Sequence, residues 1–119
     1  MKLLETASKK ADSAEVYEVK GSSIPVKFSS GELESVKHVE TTGAALRVID
    51  GGKLGFSTTT DPENLTEVVD HAIETANFGE EADFEFPDRL DLKEVNTFDR
   101  KIAELEANDL IKRGEEVIE

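Results

Sequence analysis

Residues 43–61, GAALRVIDGGKLGFSTTTD, read as two strands joined by a tight turn. Along GAALRVID (43–50), Ala44, Leu46 and Val48 alternate with Ala45, Arg47 and Ile49, the two-residue period of a strand with one face toward a core. Asp50-Gly51-Gly52-Lys53 follows, and glycine reaches positive φ at no steric cost, as a hairpin turn requires. KLGFSTT (53–59) then resumes the alternation, with Leu54 and Phe56 sharing a face. Upstream, AEVYEVK (14–20), IPVKFSS (24–30) and ELESVKHVE (32–40) read as three more short strands, Ile24, Val26 and Phe28 lying on one side. Breaks of only a few residues cannot hold a crossover helix, so successive strands are expected to pair antiparallel as a meander. The apolar pattern is one-sided, which predicts a sheet with one covered face, one wet face and a free edge.

The cover is expected from the next segment. Asp61-Pro62-Glu63 carries an N-capping aspartate, a proline at the first helical position and an acid in the first turn. Leu65, Val68, Val69, Ala72, Ile73 and Ala76 follow at helical spacing, predicting a helix over 62–77. A short helix is expected over 3–11, with Leu3, Leu4 and Ala7 on one side. Residues 78–97 hold six acids between Glu80 and Asp91 and one proline, Pro87, and read as a long irregular connection. Leu110, Ile111, Gly114, Val117 and Ile118 form a last stripe, a helix over 108–119 capped at Asn108. No stop signal follows that stripe, which suggests a piece of a longer chain. The fold class is therefore α+β: one domain over 1–119, a five-stranded, mainly antiparallel meander with a helix on one face, a short N-terminal helix and a terminal helix.

Composition narrows the function. The 119 residues carry a formal net charge of −13. Residues 1–60 hold eight basic and eight acidic side chains, whereas residues 61–119 hold six basic and nineteen acidic. Such a surface repels phosphate backbones, so direct nucleic-acid binding is not expected. The acidic half reads as a solvated face, or alternatively as a surface that recruits a basic partner. With no cysteine, disulfides, thiol nucleophiles and cysteine-zinc sites are excluded. No apolar run approaches the roughly 18 residues of a membrane span, and the N-terminus lacks a signal-peptide core; a cytoplasmic setting is the expectation.

Gly31-Glu32-Leu33-Glu34-Ser35-Val36, Gly43-Ala44-Ala45-Leu46-Arg47-Val48 and Gly55-Phe56-Ser57-Thr58-Thr59-Thr60-Asp61 stand in a telling order and spacing. Together they resemble the N-terminal domain of the TldD/PmbA family, once labelled modulators of DNA gyrase. Ala14-Glu15-Val16-Tyr17 upstream and Phe98-Asp99 with Ile102-Ala103-Glu104-Leu105 downstream fit the same pattern, so the resemblance covers nearly the whole chain. The family comprises zinc-dependent proteases of the TldD type, whose HExxxH helix lies later in the chain, and PmbA-like (TldE) partners without those ligands. The pair degrades peptides and small unfolded proteins. The glycine- and serine-rich details lean toward the PmbA-like branch.

This sequence has no HExxxH, so no catalytic or metal residue carries over. Zinc hydrolysis needs about three converging protein ligands, and His38 and His71 are isolated in sequence. His71 reads as a solvated helix residue and His38 as a sheet-surface residue. Ser57-Thr58-Thr59-Thr60 has no base positioned to activate a hydroxyl and reads as a strand end and helix cap. Asp50-Gly51-Gly52 lacks the lysine and helix of a phosphate loop. Arg47 is the one candidate contact for a peptide or carboxylate. Its bland alternative is a cross-strand ion pair with Glu32, Glu34 or Glu40.

These readings converge on a non-catalytic N-terminal domain of a TldD/PmbA-type metalloprotease system, shaping the peptide-access chamber and contributing to the dimer. No cofactor is expected in this chain itself, and the resemblance implies zinc in the full-length catalytic partner. The implied partners are a TldD/PmbA-type subunit or a second copy, and a peptide substrate; no nucleic acid and no membrane. The alternative is a free-standing acidic protein-interaction module.

Overall fold

A computed structural model describes residues 2–61 and 63–118. It is α+β, with the order α1 (Lys2–Lys10), β1 (Ser13–Ser23), β2 (Val26–Ser29), β3 (Glu32–Val36), β4 (Val39–Asp50), β5 (Lys53–Thr59), α2 (Leu65–Asn77), α3 (Arg100–Ala103) and α4 (Ala107–Ile118). The contacts group into two compact units, residues 1–20 with 41–89, and residues 21–40 with 90–119.

The five strands are divided between a three-stranded sheet, ordered β1-β4-β5, and the two-stranded hairpin β2-β3. The expected consecutive pairing holds for β2-β3 and β4-β5, but β1 pairs with β4 rather than β2. The break lies at Ile24-Pro25: proline has no N–H for a ladder, and β2 that follows is only four residues long, against twelve for β4. Both hairpin turns are two-residue loops with positive φ at each central position, Ser30-Gly31 (54° and 79°) and Gly51-Gly52 (60° and 76°). That is the type I′ turn, whose twist matches the strands it joins.

The first unit contains the core. Leu46, Val48 and Val69 are its largest fully buried side chains, joined by Leu3, Ala7, Ala11, Ala44, Val68, Ala72 and Ala76. The apolar stripe predicted for α2 is therefore the face it buries, with Leu65 and Ile73 half-buried at its margin. Burying a leucine or valine contributes roughly 1.5–3 kcal/mol, so three such residues dominate this small core. β5 meets α2 through Gly55 rather than through Leu54 and Phe56, which lie on the opposite face; Phe56 is 51% exposed. A Cβ at Gly55 would overlap the backbone carbonyl oxygen of Ala72 and crowd Ala76. The bare backbone lets α2 lie directly on the sheet. Ser57 Oγ donates to Val68 O at 2.7 Å, and Thr75 Oγ1 accepts the Phe56 N–H at 2.9 Å, so the helix also satisfies part of the β5 edge.

Helix starts differ from expectation. α2 begins at Leu65 with Asn64 at its cap position, three residues after the predicted start; Pro62 lies outside the described residues. Asp61 instead accepts the Glu63 N–H, closing a local turn rather than capping the helix. α4 begins one residue early, at Ala107, because the Asp109 carboxylate accepts the Glu106 N–H (2.9 Å) and Asp109 N–H donates to Glu106 O (3.0 Å), a reciprocal cap ahead of Asn108. α3 is a single turn for which no element was predicted, just beyond the irregular stretch read over 78–97; Asp99 caps it by accepting the Lys101 N–H at 2.8 Å.

In the second unit, α4 packs on β2, with Gly114 against the Phe28 ring. Lys27 and Glu34 pair across the hairpin at 2.8 Å. The predicted α4 stripe is covered only in part: Leu110, Ile111 and Gly114 are half-buried, while Val117 is 83% exposed. Residue 119 lies outside the described residues.

The two close glycine contacts predict different outcomes. Gly55→Ala drives a methyl into backbone, and overpacking of this kind costs about 1–3 kcal/mol or more. Gly114→Ala meets only the end of a phenylalanine ring that can swing, while alanine favours a helix interior by about 1 kcal/mol over glycine. Chemical denaturation should show a clear loss of stability for the first and a change near zero for the second; equal losses would contradict the contacts described.

Candidate functional site

The sheet face turned away from α2 carries the candidate site. In the β4-β5 register Arg47 lies opposite Phe56, and Ile49 opposite Leu54, so these four side chains share that face. Arg47 Nε and Nη2 both donate to Glu15 Oε1, at 2.8 and 2.6 Å. Asp12 Oδ2 accepts the Gly51 N–H at 3.0 Å, so β1 and β4 run in opposite senses here. The bland alternative for Arg47 thus has the right form and a different partner. Glu15, on β1, takes the place expected for Glu32, Glu34 or Glu40, because β1 is the neighbour of β4.

Two aromatic rings complete the surroundings of Arg47. The guanidinium carbon lies 5.6 Å from the centroid of Phe84 and 5.3 Å from that of Phe86, and the two rings meet edge-to-face at 5.8 Å. The chain reaches this position after Gly79, where a side chain would strike the backbone of Leu54. Leu54 N–H donates to Glu80 O (2.9 Å) and Ala82 N–H to Gly52 O (2.8 Å), so residues 80–82 line the start of β5. The predicted wet face is therefore partly covered. A shallow depression of about 370 Å³ remains, lined by Ser13, Ile49, Ala82, Phe84, Glu85 and Phe86.

This arrangement has definite chemistry. Glu15 balances the charge of Arg47 and engages two of the five N–H groups a guanidinium carries. The cluster suits neutral acceptors and aromatic rings better than a second carboxylate. Arg47 and Glu15 side chains are each 39% exposed, and an ion pair so placed contributes no more than about 1 kcal/mol. Each arginine–aromatic contact adds about 0.5–1 kcal/mol at such a site.

The other candidates are not drawn together. His71 is exposed on α2 in the first unit, and His38 is exposed between β3 and β4 in the second, off the strand where it was expected. Among the described residues no group of three or more His, Asp or Glu side chains could hold a metal ion, so the donor set does not fit a zinc centre. Ser57 is tied to Val68, and Thr59 Oγ1 accepts the Asp61 N–H at 2.9 Å, as strand-end and turn residues do. Asp50-Gly51-Gly52 is the β4-β5 turn. No helix among the described residues is long and apolar enough to cross a membrane. Sequence reasoning missed Glu15, Phe84 and Phe86. The one available signal was the alternation Phe84-Glu85-Phe86 inside an otherwise acidic connection.

The comparisons with known proteins follow the same fold. The model of the PmbA/TldA metallopeptidase domain 1 family matches residues 14–76. The crystal structure of TldE from Thermococcus kodakarensis superposes with a TM-score of 0.85 at 16% identity, over 97% of this chain and 27% of that one. A Thermotoga maritima structure described as a candidate modulator of a DNA gyrase gives 0.73 at 18% identity, over 96% of this chain and 26% of that one. The chain thus spans about a quarter of the length of these structures, and at such identities the likeness shows the fold. No individually curated protein matches the sequence. With a family model matched over more than half its length, the chain belongs to the PmbA/TldD family and carries that family's first domain, a domain of a peptidase-related protein.

Proposed function

We propose that this domain is a non-catalytic part of a cytoplasmic TldD/PmbA-type metalloprotease system, helping to wall the chamber through which peptide reaches a zinc site carried elsewhere, and contributing to the subunit pair. The observation that carries the reading is the family match over residues 14–76 in a chain with no HExxxH. Zinc hydrolysis needs converging ligands and a base. In this reading the protein's share is positioning, and the ion belongs to a TldD-type subunit. Within that role Arg47 is the peptide contact. With Glu15 holding its charge, the remaining guanidinium N–H groups donate to peptide carbonyl oxygens, and Phe84 and Phe86 flank the approach.

Calorimetry with zinc, a peptidase assay, and gel filtration with a TldD-type subunit carrying HExxxH test the reading together. The expected result is no one-to-one zinc binding and no turnover by this chain alone, with co-elution alongside the subunit. Tight zinc binding with turnover by the chain alone would overturn it. Failure to co-elute, with retention on a basic partner instead, would move the weight to an acidic interaction module.

A further inference from the structure

After α2 the chain lays residues 80–86 against the three-stranded sheet in a way that differs from every other contact of this unit. The middle of the β5 edge is closed from within a helix: Thr75, whose hydroxyl engages Phe56, is fixed in α2 and cannot leave without unfolding it. The start of the same edge is closed by a tether. Two backbone hydrogen bonds, Leu54 to Glu80 and Ala82 to Gly52, hold it, and no regular structure follows until Arg100. Phe84 and Phe86 then touch Arg47 from alternate positions, as side chains on one side of an extended strand do. Phe84 remains 41% exposed and lines the shallow depression beside it.

We propose that residues 80–86 form a displaceable strap, and that the edge of β5 with the Arg47 face beneath it is a binding site for an extended peptide carrying two aromatic side chains two residues apart. The strap itself shows what the site accepts. An occupant pairs its backbone with Gly52 and Leu54, the groups the strap uses, and places two rings on the guanidinium, which is strand addition at a sheet edge. Ile49, Leu54 and Phe56 supply an apolar floor. Charge says which sequence competes best. The strap carries Glu80, Glu81, Asp83 and Glu85, four of the acids that give the protein its net charge of −13, so it is drawn to the sheet against the overall charge of the protein. A peptide of the same spacing without those acids is the better ligand. The proposal takes its choice of a peptide, rather than another strand-like occupant, from the role proposed above.

The test uses a fluorescein-labelled peptide with the strap's sequence and its acids replaced by glutamine, Gln-Gln-Ala-Gln-Phe-Gln-Phe amide, and a control in which the two phenylalanines are adjacent. Anisotropy titration of the full chain should show weak binding, and the Phe84→Ala/Phe86→Ala variant should bind the first peptide at least tenfold tighter. Adding Arg47→Met should remove at least fivefold of that gain, and the control should bind at least tenfold more weakly. Equal affinity of the variant and the unaltered chain, or of the two peptides, would overturn the proposal. Hydrogen exchange on the unaltered chain gives a check that no variant's folding can confuse. The Leu54 and Ala82 amides should exchange at least a hundredfold faster than that of Val48, and equal protection would mean that the strap does not open. None of these readouts depends on peptidase activity, so failure of this site and failure of the metalloprotease reading would be seen separately.

Discussion

At Gly55 the first unit brings the backbone of a strand against the backbone of a helix. Because β5 presents no side chain there, α2 lies on the sheet through Ala72 and Ala76, the small residues of its stripe, and the core beside them needs only Leu46, Val48 and Val69 at full burial. The same proximity brings Thr75 to the β5 edge and Ser57 to the Val68 carbonyl, so groups that would otherwise face an apolar helix unpaired are satisfied by it. It also sets where the chain can go next. Gly79 passes the backbone of Leu54 at a distance that excludes a side chain, and the connection is thereby delivered to the face opposite the helix. Of the two faces set by the β4-β5 register, Gly55 thus admits α2 to one and Gly79 lets the connection pass toward the other.

Much of this was legible in the sequence, and the particular failures have physical causes. The β4-β5 hairpin and the α2 stripe were readable because each side chain's burial follows from a local period: 2 for Ala44, Leu46 and Val48, and 3.6 for Val68, Val69, Ala72 and Ala76. The partner of β1 was not readable from spacing, since a meander and a hairpin set between paired strands have the same turns. Only Pro25, which removes a ladder donor, hinted at a break. The start of α2 was misplaced because the Thr59 hydroxyl accepts the Asp61 N–H and the Asp61 carboxylate accepts the Glu63 N–H, so a strong capping signal served a loop. Alternation put Phe56 on one face with Leu54 without saying which face of the sheet that is. Its position opposite Arg47 follows from the β4-β5 register that the Gly51-Gly52 turn closes, which puts it on the face away from α2.

The candidate site was half legible for a related reason. Arg47 stood out as a charge on a strand otherwise apolar, and alternation correctly put it opposite Leu46 and Val48. Its surroundings come from two distant places, Glu15 thirty-two residues before it and the Phe84-Glu85-Phe86 run in the connection. Long-range juxtaposition of this kind follows from topology, and the topology turned on the β1-β4 pairing. The same pairing changes what the arginine is for. A free guanidinium on a wet sheet would take a carboxylate, whereas one already neutralised by Glu15 and flanked by rings favours backbone carbonyls and aromatic side chains.

Charge and burial together explain why a connection this acidic can still lie on the sheet. Residues 80–86 carry four carboxylates in a protein of strong negative charge, and their large apolar side chains are Phe84 and Phe86. Arg47 is the cation that contacts those rings among the described residues, and it is shared with Glu15. The two arginine–ring contacts contribute about 0.5–1 kcal/mol each and the two edge hydrogen bonds about 0.5–1.5 kcal/mol each, so the segment is held by a few weak interactions. A helix cap or a core stripe would have held the segment far more firmly. The strong apolar contacts lie on α1, α2 and β4, and this face is closed by a few weak ones, which is the condition under which another strand can take the same place.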